Sequence, residues 1–120
     1  MREIKFRGKT INGDWVYGYY SVELGKHYII NESNGTVYRH AVSHETVGQS
    51  IGLPDKNEKE IYEGDILHEF REKTAPMANN GIDRKIVVDD IRSIEFYSGW
   101  CEVIGNIYSN PELLNNEPNN

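Results

Sequence analysis

Four histidines, one cysteine and a few acids are the side chains of this chain whose types and spacing invite chemistry: His27, His40, His44, His68, Cys101, Asp89-Asp90, Glu63 and Asp65. His40 and His44 stand four apart, with Glu45 adjoining. On a helix that interval brings two imidazoles to one face, but a zinc site needs three or four converging ligands with outer-shell support. The residues around them read as strand and loop, where the interval brings nothing together, so they read as surface or partly buried histidines. A cysteine nucleophile needs a lowered pKa and a neighbouring base. Cys101 follows Trp100 at the start of a predicted strand without such a signature, and reads as a buried structural thiol. Adjacent acids on a strand point to opposite faces, so Asp89 and Asp90 do not share an ion. Asp65 is better explained by the turn it occupies. The glycines at 8, 13, 18, 48, 52 and 64 form no phosphate-cradling loop before a helix. No catalytic, metal or cofactor-binding residue is assigned on these grounds. A metal- or thiol-dependent enzyme is the most remote alternative.

The elements that would position these groups are strands. Glu3–Arg7 alternates, with Ile4 and Phe6 on one face and Lys5 and Arg7 on the other. Asn12-Gly13-Asp14 turns it into Trp15–Tyr20. His27–Asn31 and Thr36–His40 flank a hairpin tip at Asn34-Gly35. Thr46–Ile51 is predicted to end at Gly52, and Leu53–Glu58 to turn, with Pro54 fixing φ and Asn57 taking the left-handed position. Gly64 permits backbone angles that a Cβ obstructs, and the Asp65 carboxylate can accept from neighbouring N–H groups. Ile66–Phe70, Arg84–Asp89, Ser93–Tyr97 and Cys101–Tyr108 complete the strands, with a loop at 73–81 and a turn at Ser98-Gly99. Asn110-Pro111 predicts one helical turn, and 115–120 a flexible tail. No apolar period of 3.6 residues is sustained over three turns. The chain is mainly β.

Trp15, Tyr17 and Tyr19 share one face of their strand and Val16, Gly18 and Tyr20 the other. One of these faces packs a core. If the other is exposed, Trp15, Tyr17, Tyr19, Tyr38 and Trp100 are the candidate contact surface. Arg2, Lys5, Arg7 and Lys9 are the one basic cluster and the candidate nucleic-acid contacts. Charge argues against that use for the whole chain, whose 13 Lys/Arg face 19 Asp/Glu for a net charge of −6. Residues 1–44 carry a net +2, and residues 45–68 and 69–120 carry −4 each. The length suits one domain with a modest core. A single cysteine, a charged MREIKFRG start and no apolar run of membrane-spanning length read as a cytosolic protein.

REIKFRG at Arg2–Gly8, WVYG at Trp15–Gly18, VGQSIGLPDKN with EIYEGDIL at Val47–Leu67, and EVIGNIYSNPELL at Glu102–Leu114 resemble the YopX family, small proteins of phages and prophages. The resemblance covers both ends and the centre, in order. It implies one domain over 1–114: an N-terminal β-hairpin region at 1–44 and an SH3-like β-barrel at 45–108 with a variable loop near 71–82. It implies no activity and no cofactor. Members often have Gly after Asp-Lys-Asn, where this chain has Glu58, a residue that resists positive φ. The expectation is a non-catalytic binding or assembly module acting through protein contact, with self-association as one form of it. Nucleic-acid binding through the basic strand and neighbouring aromatics is the alternative.

Overall fold

The computed structural model describes residues 5–72, 81–89 and 98–114. Its strands are β1 Phe6–Lys9, β2 Trp15–Glu23, β3 Lys26–Ser33, β4 Thr36–Ala41, β5 Ser43–Pro54, β6 Glu60–Tyr62, β7 Asp65–Arg71, β8 Ile82–Val87 and β9 Cys101–Asn106. Helical geometry among the described residues is confined to short 3-10 turns at Ser98–Trp100 and Pro111–Leu114. Leu113 N–H donates to the Asn110 carbonyl there, closing the helical turn expected after Asn110-Pro111.

Two compact units divide between Ser50 and Ile51, within β5. In the first, the strand order is β4-β3-β2-β1-β5, all antiparallel. Left-handed pairs close two tight hairpins: Leu24 and Gly25 between β2 and β3, Asn34 and Gly35 between β3 and β4. Ala41 pairs with Tyr28 on β3, while Ser43 pairs with Lys9 on β1. In a flat sheet the β4 and β5 positions would lie about 19 Å apart. Two residues of chain span only about 7 Å, so this sheet curls strongly. Ile29 is fully buried on the inner face of the curl. Phe6 and Tyr20 meet beside it with ring centroids 5.5 Å apart. Gly8 lets Val42 pack closely here, since a Cβ would stand 3.0 Å from the Val42 side chain and oblige it to shift by a few tenths of an ångström.

The second unit holds a three-stranded antiparallel sheet, β8-β7-β9, with β6 beside the last residues of β5. Its core is Ile51, Ile61, Leu67, Val88 and Cys101, with Leu53, Ile86 and Val103 packed on it. The alternation of β7 selects Leu67 and Glu69 for the same face.

Several expectations change. The mainly β class holds, as two antiparallel sheets; among the described residues neither sheet closes on itself, so closure into an SH3-like barrel is not shown. The strand expected at 93–97, the loop at 73–80 and the tail at 115–120 lie outside the described residues. β5 continues through Gly52 (φ 80°) to Pro54 and does not stop at the glycine. In the following turn the left-handed residue is Glu58, at φ 67°, and not Asn57. Asp55 dictates this: its Oδ1 accepts from both Asn57 N–H and Lys59 N–H at 2.8 Å, and Glu58 N–H donates to its carbonyl. Those bonds fix 57 and 59 and leave the reversal to 58. Gly64 takes φ 93°, and Asp65 Oδ2 accepts from Tyr62 N–H at 2.8 Å.

Candidate functional site

Register in the first unit places the chemistry-bearing side chains on opposite faces of its sheet. Lys9 pairs with Trp15 and Arg7 with Tyr17. Tyr19 pairs with Ile30, Ser21 with Tyr28, and Ile30 with Arg39. Opposed residues share a face, so Arg7, Lys9, Trp15, Tyr17, Tyr19, Tyr28 and Arg39 stand together. The other face carries Phe6, Tyr20, His27, Ile29 and Tyr38.

On the first face Tyr17 is 45% and Tyr19 61% exposed, while Trp15 is half-buried. This strand therefore turns Trp15, Tyr17 and Tyr19 away from the buried Ile29 side. The Arg7 guanidinium lies 4.7 Å and the Lys9 ammonium 5.9 Å from the Trp15 ring centroid. Arg39 covers Tyr28 at 4.7 Å and also pairs with Glu23. Arg7 itself is only 6% exposed. Of the basic candidates, Arg2 lies outside the described residues and Lys5 immediately precedes β1. The five candidate contact residues do not share one face of the first sheet. Tyr38 is on the opposite face, its ring 6.3 Å from His40, and Trp100 belongs to the second unit, under the Arg71 guanidinium at 4.9 Å.

Of the four histidines, His27 and His44 are in ring contact. His27 Nδ1 meets the Tyr20 hydroxyl at 2.6 Å, and its ring stacks on His44 at 4.8 Å. His40 stands by Tyr38, and His68 Nε2 meets Asp83 Oδ1 at 2.8 Å in the second unit. Among the described residues no three His, Cys, Asp or Glu are placed to hold a metal ion. His68 and Asp83 line an open cleft of about 480 Å³ with Arg84, Lys85, Leu113 and Leu114.

Two buried carboxylates were not legible as such. Asp55 is 4% exposed. Burial pushes its pKa up, but hydrogen bonds from Val103, Lys59 and Asn57 N–H, with the Lys59 charge, outweigh this and hold it below the ordinary value. Glu69 is fully buried opposite Cys101. Its Oε2 accepts from Arg71 at 2.7 Å and its Oε1 from Arg84 at 2.7 Å. Burial again acts upward, and the two arginines more than reverse it. Cys101 is fully buried, and burial, then the Glu69 charge, raises its thiol pKa. That is the opposite of an activated nucleophile. An acid following a proline in a turn, and an acid at an inward strand position two residues before an arginine, were the available signals.

Compared with known proteins, the chain matches a family model described as YopX protein over residues 5–115. No curated protein matches it. Among solved structures, it is similar to the crystal structure of protein EF1440 from Enterococcus faecalis. That match has 26% identity over 95% of this chain and 99% of that one, with a TM-score of 0.50.

Proposed function

The chain belongs to the YopX family, and we propose that it is a non-catalytic binding module whose contact surface is the tyrosine-bearing face of its first sheet. Its partner is a protein, and its setting is the cytoplasm of a phage-infected or lysogenic bacterial cell. The observation that carries this reading is the pair Tyr17 and Tyr19, exposed next to half-buried Trp15 on the sheet face opposite the buried Ile29. Tyrosine and tryptophan supply large, rigid contact area at little entropic cost, which suits protein recognition. The buried, upward-shifted Cys101 thiol and the carboxylates tied to backbone and arginine support a non-catalytic role. Nucleic-acid binding has less support, because Arg7 is buried against the Trp15 ring and so presents little charge to a phosphate.

The test is a photo-crosslinking residue placed at Tyr19 in infected cells, with the same group at fully exposed Ile11 as control. A discrete protein adduct at 19 alone, lost in Tyr17→Ala, is expected. No adduct, or the same adducts from both positions, rejects the reading. Binding to short single strands that declines steeply with salt would replace it with the nucleic-acid one.

A further inference from the structure

The cleft of about 480 Å³ in the second unit combines a polar floor with an apolar wall, the make-up of a small-ligand site. His68 and Lys85 are direct cross-strand partners on β7 and β8, so their side chains leave one face of the sheet about 5 Å apart. The wall is the 3-10 turn Pro111–Leu114, which brings half-buried Leu113 and exposed Leu114 to the cleft. His68 Nε2 meets Asp83 Oδ1 at 2.8 Å. An ionised carboxylate only accepts, so Nε2 carries the proton and the neutral ring offers Nδ1 as an acceptor. Nδ1 has no hydrogen-bond partner among the described residues. Lys85 Nζ donates to the Leu113 carbonyl at 2.9 Å, which uses one of its three N–H groups and none of its charge. Among the described residues no acid pairs with Lys85, whereas Arg84 is held by Glu69.

We propose that this cleft binds the C-terminal residue of a peptide whose last side chain is apolar. The terminal amide N–H donates to His68 Nδ1, the carboxylate accepts from the Lys85 ammonium, and the side chain lies against Leu113 and Leu114. Charge fixes this orientation. A carboxylate placed at His68 would face Asp83, and also Glu102, which stands across His68 on β9. Placed at Lys85 it meets a cation that only a neutral carbonyl contacts. Both polar groups are already held in position by Asp83 and by the turn, so little ordering is left for the ligand to impose. The site is distinct from the tyrosine face, and the proposal stands whether or not that face binds a protein.

Heteronuclear NMR of the full chain tests this with three probes: an acetylated pentapeptide ending in leucine, the same peptide as its C-terminal amide, and free leucine. The acid is expected to shift the Lys85, Leu113 and Leu114 resonances saturably, and the amide to bind roughly tenfold more weakly or not at all. Lys85→Met should reduce binding of the acid to the level of the amide. His68→Phe, which removes the acceptor, should weaken whatever binding either peptide shows. The amide spectrum of each variant without ligand checks that the sheet persists. No shift in the cleft at about 10 mM acid overturns the proposal. So do equal binding of acid and amide, and an affinity indifferent to Lys85→Met. Tighter binding of leucine than of the peptide overturns the acylated form, and shifts confined to Tyr17 and Tyr19 overturn the site.

Discussion

Glu69 is the residue on which the second unit's core is most exposed to damage. Its carboxylate is fully buried, yet both oxygens are used, one by Arg84 and one by the Nε and Nη2 groups of Arg71. A buried ion pair contributes little relative to an apolar replacement of both partners, because desolvation cancels most of the attraction. Removing Glu69 loses the hydrogen bonds of both arginines, whose side chains are 23% (Arg71) and 52% (Arg84) exposed and can turn to solvent. Glu69→Ala is therefore expected to cost about 1–3 kcal/mol, a sizeable share of the stability of a small domain. Glu69→Gln keeps the shape and part of the hydrogen bonding and should cost less. Urea melts of the two variants check this. A loss below about 1 kcal/mol for Glu69→Ala would mean that the cluster behaves as a surface ion pair. Trp100, on which Arg71 rests, is held by the same cluster, so its half-exposed ring has a structural reason for being where it is.

At the scale of elements, the β5–β6 turn stores backbone strain that one substitution can release. Glu58 is held at φ 67° by the four hydrogen bonds that Asp55 makes with residues 57 to 59. A side chain in that region costs roughly 1 kcal/mol, and glycine adopts it without a Cβ clash. Glu58→Gly should raise stability by roughly 0.5–1 kcal/mol after its own unfolded-state entropy is counted. An unchanged or lowered melting temperature would show that the turn is relaxed in the wild type. Gly18→Ala is the opposite case. A Cβ there would lie 2.1 Å from the Ile30 carbonyl oxygen, so β2 and β3 must separate locally. The expected cost is about 1–3 kcal/mol, read as lost amide protection along that hairpin. These two positions also show what a sequence reveals. The alternation of Trp15, Tyr17 and Tyr19 predicts a shared face because period two is a local rule. Asn34-Gly35 predicts its hairpin because positive φ is a local property. The Asn57/Glu58 assignment failed because Asp55, two and three residues earlier, overrides intrinsic preference through its hydrogen bonds. Which face is buried was not legible, since it depends on the curl that brings Ala41 to Tyr28 and Ser43 to Lys9, a long-range pairing. Residue type alone groups Tyr38 and Trp100 with the other aromatics, yet Tyr38 lies on the opposite face of the first sheet and Trp100 belongs to the second unit.

Among the described residues the acid-sensitive bonds are unevenly distributed. Asp55 and Glu69 both lie in the second unit, and both are more acidic in the folded chain than in the ordinary case. A group of this kind adds stability above its unfolded pKa and gives it up as pH falls through its folded value. A competing effect has the opposite sign. Residues 51–120 carry seven Lys/Arg against fourteen acids, so protonation also relieves self-repulsion there. At physiological ionic strength most of that repulsion is between exposed groups and is screened beyond about 8 Å. The carboxylates of Asp55 and Glu69 are buried and their hydrogen bonds short, so these bonds are screened less than the exposed pairs and their loss should dominate. As pH is lowered from 7 toward about 3, amides of β7 and β9 should lose exchange protection before those of the β2–β3 hairpin. Asp55→Asn, which removes one depressed carboxylate and leaves its amide nitrogen facing an N–H donor, should lower protection of β9 at neutral pH and flatten the remaining acid dependence. Hydrogen exchange resolved by strand reads both. Simultaneous loss across β2–β3 and β7–β9 at every pH would show that these two carboxylates do not govern where acid unfolding begins.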